Sequence, residues 1–447
     1  MIFGLMDINN KKPLIGFIAF FNNFGETSTL TTIAKKYIEQ GGKAIFFGYG
    51  EKYQNLAKNI GCKVVILPEK FSDKELKKLK SFHKKVNKNQ EFQEKTISQI
   101  VNKDFFHSDV FSIKNEIKEF IKNNVEMIVT GFAYSTNISA RKVKIPLVYI
   151  ISGAAIPPYY EQKLAKFPDN YRNFFINLFP DIILKNIANW YILNNKNLVK
   201  EFNTLATKFN TKKIKNFLDI FSGDYTLVAE DIEFINLIPT PEFPVNNFIG
   251  PIFPDKISVE KENYDEENIC KHLNRPGKSI LVTLGSSGTK ELLFKILHAL
   301  EKTDHNIIAI YTSVIEDNEI PEFKDNILLV KFVPSIKKIN QLVDIAIIHG
   351  GRGTVYTAAY SGKPVIGIPM QIEQQCNIDN LVRHGAGVKI SKRNFSSKKL
   401  LKAIDEILSN YYSYLDKAKL LKEKLPEQKG AENAIKRLLE IYEQTNK

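Results

Sequence analysis

Six consecutive residues after the apolar run IAII have the side chains and spacing needed to bind a diphosphate. The stretch HGGRGT covers 349–354 and precedes a helix-like pattern. Glycines let backbone N–H groups approach an anion, and a helix N-terminus adds about half a positive charge. His349 and Thr354 can donate hydrogen bonds to phosphate oxygens, and Arg352 adds charge if it points inward. The predicted diphosphate-binding residues here are His349, Gly351, Arg352, Gly353 and Thr354.

A second polar pair follows the next predicted strand. The stretch GIPMQIEQQCN places Glu373 and Gln374 after Pro369, at the same predicted sheet edge. A carboxylate beside an amide can hold vicinal sugar hydroxyls bidentately. A glycine turn alone is equally typical of a tight strand-to-helix connection with a surface arginine. The pair therefore favours a site for a diphosphate-linked sugar.

A third candidate lies near the start of the chain, in NNFGETSTL at 22–30. It follows the apolar run LIGFIAFF and precedes the helix-like LTTIAKKYIEQGG. The shape is that of a phosphate cradle, but the Glu26 carboxylate would repel a phosphate. Two interpretations remain open: Glu26 takes a proton from a hydroxyl group, or it only complements the helix dipole. The helix N-terminus is expected to favour its ionised form and make it a weaker base.

The elements that position these residues fall into two blocks of apolar runs separated by helix-period segments. Predicted strands of the first block are LIGFIAF, KAIFFGY, KVVILP, EMIVTGF and IPLVYII, with helices such as 30–40 and 113–123 between them. Those of the second are SILVTLG, NIIAIYT, ILLVKFV, IAIIHGG and PVIGIPM. Continuous apolar strands alternating with helices imply parallel sheets covered on both faces. Such sheets bind ligands at the carboxyl ends of their strands, so the site is expected in the cleft between two domains.

The stretch 345–390 resembles the carboxyl-terminal signature of the UDP-glycosyltransferases of glycosyltransferase family 1. That pattern runs roughly H-G-G-x-G-T, E-A, G-x-P, P-x-x-x-D/E-Q-x-x-N and G-x-G. The matching residues are His349-Gly350-Gly351, Gly353-Thr354, Ala358-Ala359, Gly362-Lys363-Pro364, Pro369, Glu373-Gln374, Asn377 and Gly385-Ala386-Gly387. The resemblance implies an α/β, GT-B fold, in which two Rossmann-like, doubly wound parallel-sheet domains face each other across a cleft.

The resemblance also assigns roles toward a nucleotide-sugar donor. In the family the histidine and the Gly-Thr turn bind the donor diphosphate, and the acidic-Gln pair binds the donor sugar. The loop TLGSSGT resembles the family's Gly-Ser loop near the phosphates, which makes Gly285, Ser286 and Ser287 candidates. The stretch KFVPSIKKI resembles the segment that pairs with the donor base, which makes Val333 and Pro334 candidates.

Three positions depart from the family pattern. Ser335 replaces the glutamine that usually follows the Val-Pro pair, and Ala358 and Ala359 stand where the family has a glutamate before G-x-P. Glu26 takes the place of the histidine in the amino-terminal G-H-x-x-P turn, where that histidine is the general base on the acceptor hydroxyl. The resemblance therefore implies Glu26 as the catalytic base.

The expected domain boundaries follow from composition. Residues 1–245 form the acceptor-binding domain, with a helical, aromatic-rich insertion near 159–217, and 246–268 form a proline-rich, then acidic linker. Residues 269–425 form the donor-binding domain, and 426–447 a carboxyl-terminal helix that packs back on the first domain. The aromatic side chains of the insertion are expected to be mostly core, with an acceptor pocket or a membrane-contacting surface as alternatives.

Charge and cysteine content bound the partners. The net charge is +14 and three cysteines are present, with no C-x-x-C pair and no signal peptide evident, so a cytoplasmic protein is expected. The charge is largely lysine in a Lys/Asn/Ile-rich chain, and we expect no nucleic-acid partner. The basic run 73–90 is typical of a solvated helix face, with peripheral contact to an anionic membrane as the alternative.

The expected activity is inverting transfer of a hexosyl group from a nucleotide-diphosphate sugar, with a UDP-sugar favoured, to a hydroxyl acceptor. That acceptor is a small molecule, a lipid or a cell-envelope component. The sequence has no D-x-D triplet, and we expect no metal and no cofactor besides the nucleotide-sugar co-substrate. Two alternatives remain: a sugar-nucleotide epimerase of the same fold, and a non-catalytic nucleotide-sugar-binding partner.

Overall fold

Two six-stranded parallel sheets organise the chain. The computed structural model describes residues 12–68, 103–254, 265–311, 314–315, 317–331, 333 and 335–445. Within these ranges the first sheet has the order β3-β2-β1-β4-β5-β6, and the second has the order β12-β11-β10-β7-β8-β9. Both orders have the same doubly wound topology, with a switch point between β1 and β4 and another between β7 and β10.

The strands are short and largely buried, as expected of sheets covered on both faces. The first sheet contains β1 Leu14–Phe20, β2 Lys43–Tyr49, β3 Lys63–Ile66, β4 Met127–Thr130, β5 Leu147–Ile151 and β6 Tyr225–Val228. The second contains β7 Ser279–Thr283, β8 Asn306–Ile310, β9 Ile327–Val330, β10 Ile345–Ile348, β11 Val365–Gly367 and β12 Gly387–Lys389.

Helices connect the strands and cover the sheets. Those of the first half are α1 Phe24–Glu39, α2 Asn55–Asn59, α3 Lys103–Lys122, α4 Thr136–Val143, α5 Pro157–Glu161, α6 Asp181–Asn194, α7 Lys196–Phe209 and α8 Ile232–Ile235. Those of the second half are α9 Glu266–Leu273, α10 Lys290–Leu300, α11 Ile336–Leu342, α12 Arg352–Ser361, α13 Ile372–Arg383, α14 Ser397–Ser409, α15 Tyr411–Lys424 and α16 Gly430–Thr445. In the described ranges, no helix is both long and apolar enough to cross a bilayer.

The ten predicted strands are all present, and two further strands escaped the sequence analysis. Strands β6 and β12 form one edge of each sheet. Their segments, YTLV and GVK, are too short to stand out as apolar runs. The omission of β6 matters, because the residues that follow it reach the cleft.

Helix α1 begins six residues before the predicted Leu30. The segment FGETST has weak helix propensity, but the Asn23 side chain caps it by accepting a hydrogen bond from the Glu26 amide at 3.3 Å. The hydroxyls of Ser28 and Thr29 both donate to the Gly25 carbonyl, at 3.2 and 2.7 Å. Glu26 therefore lies inside the first turn of a helix and not in a loop.

The aromatic insertion is less buried than the sequence predicts. Helix α7 does pack, with Phe202 and Ala206 fully buried. The stretch 174–191, however, exposes most of its large apolar side chains, so the interpretation of the insertion as mostly core is wrong there. Helix α6 is apolar on nearly all sides and has only one narrow face against the protein.

Polar contacts join the insertion to the second sheet domain. The Tyr159 hydroxyl donates to Asn380 Oδ1 at 3.2 Å. Lys389 Nζ lies 2.8 Å from a carboxylate oxygen of Asp379 and 2.8 Å from one of Asp169. The cleft is therefore bridged by a largely buried network at one end.

The last helix, α16, packs against the first sheet domain. Ala434 and Leu438 are fully buried in the same apolar cluster as residues of β1 and β4. The Tyr442 hydroxyl donates to Glu126 Oε1 at 3.0 Å. Residues 255–264 of the predicted linker and the basic run 73–90 lie outside the described residues.

Candidate active site

The N-terminus of α12 presents open backbone amides at the switch point of the second sheet. Gly351 is the N-cap and has no side-chain cap, and the first bond within the helix runs from the Val355 amide to the Gly351 carbonyl at 3.0 Å. The amides of residues 352–354 therefore have no intrahelical partner. The Thr354 hydroxyl donates to the Gly351 carbonyl at 2.8 Å, so its hydrogen is engaged within the turn. The turn offers an anion its backbone amides first.

His349 lies wedged between two glycines of this edge. A Cβ on Gly285, whose φ is +54°, would lie 2.5 Å from His349 Cε1, and one on Gly351 would lie 2.4 Å from Nε2. Both positions thus require glycine if the ring is to keep its place. Burial lowers the pKa of His349 to about 4, and the Thr283 backbone opposes this shift only in part. The imidazole is therefore neutral at pH 7 and acts as a hydrogen-bonding group.

The loop after β7 and the Glu373–Gln374 pair are joined directly. Gln374 Nε2 donates to Ser287 Oγ at 2.9 Å, and Gln374 Oε1 accepts from the Met370 amide at 2.9 Å. Both ends of the buried Gln374 amide are therefore engaged by the protein. The carboxylate of Glu373, in contrast, makes no hydrogen bond or ion pair with the described residues. Of the predicted sugar-binding pair, Glu373 is the member with free acceptor capacity.

The predicted base-binding segment is only partly described. The Val333 side chain is buried against β9 and α11, so only its backbone remains for a ligand. Ser335 caps α11 by accepting from the Lys338 amide at 3.4 Å, which accounts for a small hydroxyl residue at that position. Pro334 and the side chain of Ser286 lie outside the described part of the chain. The base-binding role of this segment stays a prediction.

Glu26 faces the matching edge of the first sheet. Its Oε1 accepts from the Phe132 amide at 2.8 Å and its Oε2 from the Phe20 amide at 3.3 Å, so the carboxylate bridges the ends of β1 and β4. A Cβ on Gly131 would lie 2.8 Å from Oε1, which explains the glycine there. The carboxylate thus sits at the switch point, as the diphosphate turn does in the other domain.

Burial controls the acidity of Glu26. Desolvation raises its pKa to about 7, although the amides of Phe132, Phe20 and Gly131 and the charge of Arg352 all lower it. The expectation that the helix N-terminus makes it a weak base is wrong, because loss of water outweighs the favourable amides. A carboxylate with a pKa near neutrality is well matched to taking a proton at pH 7.

Arg352 reaches across the cleft. Its Nη2 lies 3.4 Å from Thr29 Oγ1 in α1, and its charge lowers the pKa of both Glu26 and Glu230. The guanidinium therefore connects the two domains instead of folding back over the glycine turn. It brings positive charge to the side of the cleft where Glu26 lies.

Glu230 is a polar residue of the cleft that sequence reasoning missed. It follows β6, and its Oε1 accepts from Ser152 Oγ at 2.5 Å and from the Gly153 amide at 3.1 Å. Its Oε2 is buried and has no hydrogen-bond partner among the described residues. Burial raises the pKa of Glu230, and nearby Glu373 raises it further. The carboxylate after the short run YTLV was the available signal.

Solved structures share this architecture over nearly the whole chain. The calicheamicin glycosyltransferase CalG4 matches with a TM-score of 0.67 and 14% identity, covering 97% of this chain and 98% of that one. The spinosyn rhamnosyltransferase SpnG complexed with thymidine diphosphate matches with a TM-score of 0.63 and 11% identity, covering 96% and 100%. The predicted GT-B fold is confirmed.

Sequence relatives agree. A PGL/p-HBAD biosynthesis glycosyltransferase of Mycobacterium tuberculosis is 30% identical over 42% of this chain and 41% of its own length. A PGL/p-HBAD biosynthesis rhamnosyltransferase of Mycobacterium bovis is 25% identical over 64% and 60%. The aligned part thus spans less than two thirds of either relative. The family model for UDP-glucoronosyl and UDP-glucosyl transferase matches residues 22–423. The chain belongs to this family of glycosyltransferases, as the sequence resemblance predicted.

Proposed function

We propose that the protein transfers a hexosyl group from a nucleotide-diphosphate sugar to an acceptor hydroxyl with inversion. One observation carries the proposal: the uncapped N-terminus of α12 lies at one switch point, and the buried Glu26 carboxylate lies at the other. An anion site and a base near pH 7 are the two groups that such a displacement needs. The donor diphosphate is assigned to α12 and the loop after β7, and the sugar to Glu373.

In the proposed reaction the acceptor oxygen attacks the anomeric carbon as the bond from that carbon to the diphosphate oxygen breaks. Glu26 takes the acceptor proton, and the negative charge that develops on the diphosphate is stabilised by the amides of residues 352–354 and the neutral His349 ring. These donors are held in place before the reaction, which is the condition for strong electrostatic stabilisation. Helix and histidine supply this stabilisation, so we propose that transfer needs no metal.

The first test is a thermal-shift screen of the whole protein with UDP, dTDP and GDP. A nucleoside diphosphate at 100 times its dissociation constant stabilises a protein by about 2.7 kcal/mol. UDP is the favoured ligand, and dTDP is included because a structural neighbour is titled as a complex with thymidine diphosphate. Absence of a shift with every nucleotide would contradict the proposal.

The second test follows the sugar. With the donor identified, products are measured with a panel of hydroxyl acceptors in excess EDTA, and retained transfer is expected. Activity lost in EDTA and restored by magnesium would overturn the proposed metal independence. Conversion of the donor sugar without an acceptor would indicate an epimerase. Donor binding without transfer or hydrolysis would indicate a non-catalytic binder.

A further inference from the structure

The stretch 174–191 forms the main exposed apolar surface among the described residues, and we call it the apolar face. Nine of the sixteen large apolar side chains that are exposed in the described ranges fall in it, with exposed fractions from 43% to 74%. The six most exposed are Phe174, Phe175, Leu178, Phe179, Ile182 and Trp190. A contiguous apolar surface with aromatic residues marks a place where a protein meets a partner or a membrane.

Helix α6 has the reverse of the pattern of an ordinary surface helix. It turns Leu184 and Asn189 inward, and Asn189 Nδ2 donates to the Ala165 carbonyl at 2.8 Å. Its outward side carries Ile182, Ile187 and Trp190. An ordinary surface helix places apolar residues inward and polar residues outward. The outward side is therefore suited to an apolar environment and not to water.

Charge favours a lipid surface as that environment. The segment 157–217 contains ten basic and four acidic side chains, and one of the acidic ones, Asp181, is paired with Arg172 at 2.6 Å. Lys196 and Lys200 are exposed on α7, the helix that follows the apolar face. Apolar and aromatic side chains beside basic residues are the features that hold a protein at the surface of an anionic bilayer.

The apolar face begins close to the donor site. The Asp169 amide donates to Gln375 Oε1 at 2.8 Å, and Asn170 Nδ2 lies 3.4 Å from the Met370 carbonyl. Met370 is the residue whose amide binds Gln374. The chain thus passes from the predicted sugar-binding pair to Phe174 within five residues of Asp169. A membrane on the apolar face would lie beside the mouth of the cleft.

We propose that the apolar face docks the protein on an anionic membrane, so that an acceptor anchored in that membrane reaches the cleft. The acceptor part rests on the proposed transferase function, whereas the docking itself does not. Docking supplies the acceptor at the membrane surface, where its hydroxyl can approach Glu26.

The test is cosedimentation of the whole protein with phosphatidylcholine vesicles, with and without phosphatidylglycerol. Binding to the anionic vesicles is expected, and it should weaken at high salt. The double variant Phe174→Ser/Trp190→Ser should reduce partitioning by about tenfold or more, because two large side chains no longer enter the bilayer interface. Its matched control is Tyr412→Ser/Leu420→Ser, which removes equally exposed apolar side chains from α15 and should leave partitioning unchanged.

A second pair of variants tests the charge. Lys196→Gln and Lys200→Gln should each weaken binding to anionic vesicles by about fivefold. Lys402→Gln, at an exposed position of α14, should not. Unchanged melting temperatures show that the variants are folded. No vesicle binding by the native protein, or an equal loss in the control variants, would overturn the proposal.

Two further outcomes are separated by the same samples. Sedimentation equilibrium distinguishes a second copy of the chain: a dimer broken by Phe174→Ser/Trp190→Ser, without vesicle binding, would overturn the membrane assignment. The nucleotide-induced thermal shift is measured in parallel and should survive in every variant. Its absence from the native protein would contradict the proposed function while leaving vesicle binding as independent support for docking.

Discussion

The helices α1 and α12 both begin at a switch point, but their N-termini are satisfied in opposite ways. In α1 the Asn23 side chain accepts the Glu26 amide, and the Glu26 carboxylate adds negative charge to the first turn. In α12 the N-cap is Gly351, which has no side-chain bond, and no acidic residue lies in the first turn. The first helix end is already satisfied, and the second is open to a ligand.

This difference explains how two similar strand-turn-helix units serve different ligands. A helix N-terminus attracts anions only if its amides and its partial charge are left free. The turn before α1 repels a phosphate and is suited to a neutral hydroxyl, which loses a proton to a carboxylate. The turn before α12 is suited to a diphosphate. The order of the two domains in the reaction thus depends on what fills each helix end.

The largest effect is expected for Glu26→Gln. Turnover should fall by about a thousandfold, because an amide cannot take the acceptor proton and general-base catalysis contributes about 10²–10⁴-fold. The donor-induced thermal shift should persist, since the diphosphate binds to the other domain. Steady-state transfer assays beside the thermal shift check both.

Glu116→Gln is the matched control for this variant. Glu116 is also a buried carboxylate of the first domain with a raised pKa, but it accepts hydrogen bonds from Tyr49 and Ser135 at 2.7 and 2.6 Å. Its loss should leave turnover nearly normal in molecules that fold. Equal turnover in both variants would remove the base role of Glu26 and leave it as a structural bridge between β1 and β4.

The next effect tests the open helix end. Gly351→Ala places a Cβ 2.4 Å from His349 Nε2 and must displace the ring or the turn. A displacement of about 1 Å at such a site costs about 100-fold in kcat/KM. Gly25→Ala is the counterpart in α1, where a Cβ would meet only Asn23 Oδ1 at 3.6 Å. It should raise stability by about 0.5–1 kcal/mol and keep donor binding. Nucleotide titration calorimetry of both variants compares the two turns, and equal affinities would contradict the assignment.

A pH profile gives an intermediate effect. Glu26 must be ionised to act as a base, so kcat/KM should fall about tenfold per unit as the pH drops below a pKa of about 7. Stability should respond in the opposite direction. The raised pKa means that this group's contribution is fully present below its ordinary value of 4.5 and is lost as pH rises through about 7. A profile that is flat between pH 5 and pH 8 would contradict the base assignment.

The sequence carried the strands and the glycine turn because both depend on local pattern. Continuous apolar runs predict buried parallel strands, and HGGRGT predicts an open helix N-terminus. The start of α1 was misplaced because its cap and hydroxyl bonds offset a weak propensity, which composition does not reveal. Propensity is overridden wherever specific hydrogen bonds satisfy the first turn.

Other features depend on contacts between distant segments. The pKa of Glu26 is controlled by its burial beneath Phe132 and Gly131, which lie more than a hundred residues away in the chain. The unpartnered oxygen of Glu230 exists because β6 ends beside Gly153. Aromatic content alone predicted a core for 174–191, since composition does not say which side of α6 faces the protein. Burial and tertiary neighbours therefore separate a base from a helix-dipole residue, and a docking surface from a core.

The smallest effect separates the cap of α1 from its chemistry. Asn23→Ala removes the bond to the Glu26 amide and should lower the free energy of unfolding by about 1 kcal/mol. Ser396→Ala removes an equivalent cap from α14, where the hydroxyl accepts from the Lys399 amide at 3.3 Å, and should cost a similar amount. Only Asn23→Ala should also reduce turnover, because fraying the first turn displaces the Glu26 carboxylate from the ends of β1 and β4. Urea denaturation gives the stabilities and transfer assays give the turnover. Equal turnover in two equally destabilised variants would mean that the Phe20 and Phe132 amides alone position the carboxylate.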